Sequence, residues 1–103
     1  MGRKTVAEII NRIAEFKRRI GAQRIVIFGS LARGEFGGHS DVDLLIVSER
    51  FRGKDFFGRL RGLWLEWDLD VPVDFFPCTP EEFEKSKKEV SLISEAVKEG
   101  IEV

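Results

Sequence analysis

Ile25-Val26-Ile27-Phe28-Gly29-Ser30, followed by Asp41-Val42-Asp43-Leu44-Leu45-Ile46-Val47, is the stretch from which the rest of the chain is read. The first part is a short apolar run and reads as a strand over Arg24 to Phe28. Gly29-Ser30 ends it with a turn that exposes backbone N–H groups and a hydroxyl, where phosphate oxygens can sit. The second part opens on two aspartates and becomes continuously apolar, as expected for a strand buried on both faces. Strand alternation puts Asp41 and Asp43 on one face, close enough to share hard cations. A third aspartate, Asp74, lies in the next strand-like run. Carboxylates suited to Mg²⁺ beside a phosphate cradle are the toolkit of metal-assisted phosphoryl or nucleotidyl transfer.

Working outward, Thr5 to Ile20 reads as an amphipathic helix, with Val6, Ile9, Ile10, Ile13, Phe16 and Ile20 at three/four spacing. Thr5 and Glu8 suit a capping box, and Gly21 suits a helix stop. Ser30 to Gly34 reads as a tight turn opening a short helix, and 35–40 as a loop. Lys54 to Trp67 reads as a helix with Phe56, Leu60, Leu63, Trp64 and Trp67 on one side. Gly58 and Gly62 weaken it by about 1 kcal/mol each relative to alanine. They lie one turn apart, a spacing that allows close packing against another element.

Leu69 to Phe76 reads as the third strand, at an edge or starting just after Pro72. Thr79-Pro80-Glu81-Glu82 is a helix start. The helix is expected to run to Gly100, with a break near Val90 to Ser91. The result is an α/β domain of α+β type, a small mixed sheet with flanking helices.

The 103 residues suggest one domain, 1–103. Charged residues make up 34%, yet acids and bases nearly cancel to a net charge of -1. That balance argues against a nucleic-acid binder relying on bulk charge. Arg50 to Arg61 interleaves bases with phenylalanines and is either an ordinary amphipathic helix or a contact surface. Cys78 is the only cysteine, so no intramolecular disulfide forms. It is expected to pack as a small apolar residue. No apolar stretch has membrane length and no signal peptide is visible, so a cytoplasmic protein is the expectation.

Gly29-Ser30-Leu31-Ala32-Arg33-Gly34, then Ser40-Asp41-Val42-Asp43-Leu44, resembles the signature of the DNA polymerase β-like nucleotidyltransferase superfamily. The short length and the Gly-Ser-x-Ala-Arg-Gly form resemble its minimal nucleotidyltransferase (MNT) branch. The resemblance implies a polymerase β palm-like fold. It implies that Asp41 and Asp43 bind two Mg²⁺ ions, with Asp74 completing the metal site and helping to accept the nucleophile's proton. It implies that Gly29 and Ser30 hold the phosphates of ATP and that AMP passes to a hydroxyl. MNT proteins often act as antitoxins that add AMP to a tyrosine of a HEPN-type RNase toxin. The resemblance thus implies such a partner, with a homo- or hetero-oligomer as the assembly.

Several readings stay open at this point. Asp68 and Asp70 are rival third carboxylates at a helix-to-strand junction. Arg33 either contacts phosphate or pairs with an acid such as Glu35. Ser40 either orients Asp41 and Asp43 or touches phosphate. His39 reads as a solvated loop residue, and Trp64 and Trp67 as core. Two other functions compete with protein adenylylation. One is a partner-binding module that does no chemistry, and the other is a small-molecule adenylyltransferase acting on an aminoglycoside-like hydroxyl.

Overall fold

The computed structural model describes residues 5–34 and 41–103. Its first helix, α1 (Val6–Ile20), begins where Thr5 Oγ1 accepts from the Glu8 N–H at 3.1 Å. It ends at Gly21, whose φ of 69° is the left-handed conformation that glycine adopts without a Cβ penalty. There the Ala22 N–H donates to Lys17 O and the Gly21 N–H to Arg18 O. Ile9, Ile13, Phe16 and Ile20 form its buried stripe.

Four strands make one sheet in the order β3-β2-β1-β4. β1 (Arg24–Phe28) runs antiparallel to β2 (Val42–Val47), with Phe28 opposite Asp43. β2 runs parallel to β3 (Val73–Cys78), with Asp43 opposite Asp74. A parallel pair needs a crossover, and α2 (Phe56–Glu66) supplies it. α3 (Pro80–Ser86) and α4 (Leu92–Glu99) follow β3, and β4 (Ile101–Glu102) returns antiparallel to β1.

Strand alternation divides the apolar residues between two faces. On one face Ile25, Ile27, Val42, Leu44, Ile46, Val73 and Phe75 pack with the α1 stripe and Leu63 of α2. Phe16 sits there fully buried, its ring 5.1 Å from Trp67 and 6.1 Å from Phe75. On the other face Val26, Leu45, Val47 and Cys78 pack with Phe83 of α3 and Ala96 of α4. The continuous apolar run of β2 therefore has the expected cause, since both faces of the strand are covered.

Several boundaries differ from the sequence reading for identifiable reasons. Residues 29–34 form turns and open no helix, with Arg33 N–H donating to Gly29 O and Gly34 N–H to Leu31 O. Helix α2 starts later than expected because Asp55 caps it, accepting from the Gly58 N–H at 2.7 Å. Gly58 thus faces its own cap, 3.1 Å from where a Cβ would stand, and makes no close approach to another element. Of the expected inner face of α2, Leu63 is buried, but Phe56 and Trp64 are 56% and 52% exposed.

β3 starts just after Pro72, lies at a sheet edge and extends through Pro77, whose missing N–H costs little there. The break between α3 and α4 spans 87–91 and ends on the Ser91 cap. β4 was not expected. Two residues carry no periodicity, and its placement rests on partners far away in sequence. Arg24 forks onto Glu102 at 2.7 and 2.9 Å, Lys17 Nζ donates to Val103 O at 2.8 Å, and Val103 N–H donates to Ile25 O at 3.0 Å.

The basic stretch Arg50 to Arg61 is largely bound up in the fold. Arg50 donates to Ile20 O at the end of α1 and to Glu66 at the end of α2. Arg52 pairs with Glu49 and Glu81. Arg59 reaches Lys54 O, Pro77 O and Glu82, and its hydrogen bond to Glu82 holds that carboxyl below its ordinary range. Cys78 packs as expected, and burial pushes its thiol up to about 12.

Two outcomes follow for the fold. A Cβ at Gly100 would overlap Ala96 O and Val26 and stand 2.8 Å from Ile27 O. Gly100→Ala should destabilise the domain by about 1–3 kcal/mol, the usual cost of overpacking. Urea denaturation measures the loss, with faster amide exchange at Val103. Cys78 should resist a thiol reagent at pH 8 in the folded protein and react once urea unfolds it. Rapid modification of the native protein would contradict its buried position.

Candidate active site

Register and alternation build the site. Phe28, Asp43 and Asp74 form one cross-strand row, because Asp43 faces Phe28 on one side and Asp74 on the other. Directly opposed residues share a face. Their neighbours along the strands, Val26, Leu45 and Phe76, belong to the second core face, which α3 and α4 cover. The two aspartates therefore stand on that face at the border of the apolar packing, which Phe28 joins. Asp43 is half-buried, while Asp41 and Asp74 are exposed. The start of β2 is tied to β3 by the Val42 N–H donating to Pro72 O at 2.9 Å.

Gly29 completes the row from the turn after β1. Its φ is 78°, and a Cβ there would overlap Asp43 Oδ2. The sequence reading gave this glycine to close approach of a phosphate. The structure adds that the Asp43 carboxylate already occupies the side-chain space. Ser30 follows, half-exposed at the same turn.

The charges in this group act on one another. Burial raises the Asp43 carboxyl above its ordinary range, and the negative charges of Asp74 and Asp41 raise it further. The Arg33 guanidinium opposes them. Asp41, Asp43, Asp74 and Arg33 are thus one electrostatic cluster. Three carboxylates are hard oxygen donors of the kind Mg²⁺ takes, so the chemistry of the donor set fits that ion. Among the described residues, no three acidic, histidine or cysteine side chains gather closely enough to hold an ion. The structure gives Asp43 and Asp74 a shared row with Asp41 just ahead of β2, without a converged cage.

The rival carboxylates separate clearly. Asp68 pairs with Arg12 at 3.5 Å and Arg19 at 3.2 Å, tying α1 to the segment after α2. Asp70 is exposed ahead of β3 and outside its register. Ser40, His39 and Glu35 lie outside the described residues. Trp67 is core as expected, with Nε1 donating to Val71 O at 3.2 Å.

The sequence reading missed the aromatic neighbours of the row. Phe28 and Phe76 pair across the face with ring centroids 5.2 Å apart. Phe76 follows Asp74 by one full strand period, which was the available signal.

Removing the Gly29 space or the Asp43 charge should have opposite effects on stability. Gly29→Ala should cost about 1–3 kcal/mol from backbone strain and displace Asp43. Asp43→Asn relieves like-charge repulsion around a half-buried, partly solvent-screened group and should raise stability modestly in metal-free buffer at neutral pH. Urea midpoints of the two variants check both signs.

Comparison with known proteins agrees with this architecture. The family model described as "Nucleotidyltransferase domain" matches residues 8–103. Two candidate protein adenylyltransferases of Methanocaldococcus jannaschii are similar in part. One is 46% identical over 46 residues, covering 39% of this chain and 46% of the relative. The other is 38% identical over 47 residues, covering 45% of each. The chain thus spans a little under half the length of these curated relatives. A Sulfolobus solfataricus crystal structure, described as a candidate nucleotidyltransferase, superposes with a TM-score of 0.55 at 25% identity. It covers 87% of this chain and 88% of that one.

Proposed function

We propose that this chain, which belongs to the nucleotidyltransferase domain family, transfers AMP from ATP to a hydroxyl group on a partner protein. The observation that carries this reading is the Asp43–Asp74 row with Gly29-Ser30 at its edge and Asp41 in its field. The names of the two Methanocaldococcus jannaschii relatives support a protein acceptor.

In this reading the acceptor oxygen attacks the α-phosphorus in line. The new O–P bond forms as the bond to the bridging oxygen breaks, and pyrophosphate leaves. Ser30 and the turn N–H groups orient the departing phosphates. Arg33 adds positive charge on that side. Asp74 stands exposed at the row and receives the proton of the attacking hydroxyl. Asp41, Asp43 and Asp74 would hold Mg²⁺. The bound ions would supply countercharge to the triphosphate and acidify the hydroxyl. The MNT resemblance adds a partner, a HEPN-type RNase toxin whose tyrosine takes the AMP, and an antitoxin role in the cytoplasm.

The test is transfer of label from α-³²P-ATP with Mg²⁺ to a co-purifying protein. Asp41→Ala and Asp43→Ala should each lower the rate by at least about a hundredfold, as loss of a catalytic electrostatic group does. A partner that stays bound and silenced by both variants, with no label in wild type, would make the chain a binding module instead. Label on an aminoglycoside without any partner protein would favour the small-molecule reading.

A further inference from the structure

An apolar trough of about 280 Å³ lies on the sheet face that carries the carboxylate row. Leu45, Phe76 and Cys78 form its floor, with Phe56 of α2 on one side and Leu92 and Ile93 of α4 on the other. It begins one strand period from the row, since Leu45 follows Asp43 and Phe76 follows Asp74 on the same face.

Its position matters for an in-line displacement. Gly29 and Ser30 lie on the β1 side of Asp43, and the trough floor lies over β2 and β3, one strand period beyond Asp43 and Asp74. If pyrophosphate departs toward Gly29 and Ser30, the attacking group comes from the opposite direction. That is the side of Asp74 and the trough.

Its chemistry narrows the occupant. Ser91 is the polar side chain in the lining, and its hydroxyl already donates to Ser86 O at 2.8 Å and accepts from the Ser94 N–H at 3.2 Å. A sugar or a nucleobase edge would find few partners among the lining side chains. The volume falls just below the roughly 300–1,000 Å³ of small-molecule sites. It suits one or two side chains. The rim is apolar too, with Phe56 and Leu92 56% and 50% exposed. The trough thus opens to solvent along an apolar edge, where a side chain of a polypeptide can enter.

We propose that this trough is an acceptor subsite, which seats an apolar side chain of a polypeptide next to the residue whose hydroxyl takes the AMP. It rests on the transfer reading above and names the kind of sequence that reading acts on. The acceptor oxygen gains the phosphorus, its proton goes to Asp74, and pyrophosphate carries away the broken bond.

The probes are two tyrosine peptides of equal length, one with leucines flanking the tyrosine and one with aspartates. Each is offered with α-³²P-ATP and Mg²⁺ to wild type, Leu92→Glu and Phe56→Glu. Both substitutions fall on half-exposed rim residues, and matching urea midpoints show that the variants fold. Binding of each peptide without ATP is followed through the backbone amide NMR signals of Leu45 and Cys78. The leucine peptide should be bound and labelled about tenfold or more better than its partner, and either variant should erase that preference.

Label on both peptides alike would overturn the trough and leave the transfer reading standing. Binding of the leucine peptide at the trough without label would leave it a peptide groove and overturn its role as an acceptor subsite. Absence of both binding and label would overturn the trough as well, while label on the co-purifying protein decides the transfer reading separately. Shifts of the Leu45 and Cys78 amides on adding ATP alone would make the trough a nucleotide site and overturn its role for the acceptor.

Discussion

Strand β2 is hydrogen-bonded on both edges, and every other feature of the site depends on that. Its ladder with β1 puts Asp43 beside Phe28 and the Gly29 turn, and its ladder with β3 puts Asp43 beside Asp74. The helices hold this arrangement from both faces. Helices α1 and α2 cover one set of strand residues, and α3 and α4 cover the alternate set. The carboxylates stand where the second covering stops. A strand paired on both edges and covered on both faces has little freedom to tilt, so the backbone at Asp43 is held by the core beneath it.

That rigidity has a cost, and Asp43 carries it. A half-buried carboxylate with two negative neighbours is unfavourable by itself. The fold holds it there through backbone pairing and through a glycine that leaves room for its oxygen. Sites that bind cations or phosphates commonly store such repulsion, which a ligand of the right charge then relieves. Arg33 opposes the repulsion from within the chain. The basic residues further along serve other ends. Arg50, Arg52 and Arg59 join helix ends and the sheet edge to nearby acids and carbonyls.

Most of the frame was legible in the sequence because its signals are local. Thr5, Gly21 and Thr79 mark helix ends by their own chemistry, and the apolar run of β2 announces a doubly covered strand. Asp41, Asp43 and Asp74 were legible by pattern, and register explains why two of them meet. What the sequence hid depends on distant partners. Two-residue β4 is a strand because Arg24, Lys17 and Ile25 hold it, and none of these is near it in the chain. Asp68 looked like a rival ligand until α1 supplied Arg12 and Arg19. The exposure of Phe56 and Trp64 was hidden as well, since the period of α2 gives a stripe without saying how much of it the sheet can cover.

The parallel pairing of β2 with β3 has a further consequence. The two aspartate-bearing backbones are joined through a long crossover, yet their separation is set by the peptide ladder at about 4.8 Å. Side chains do not define that gap. Helix sequences can therefore change without altering the spacing between the acids. Strand length is a different matter. One residue inserted before Asp43 or Asp74 within its strand would turn that carboxylate to the α1 side of the sheet, into the hydrocarbon around Phe16. Variation in this architecture is thus open in the helices and forbidden in strand count.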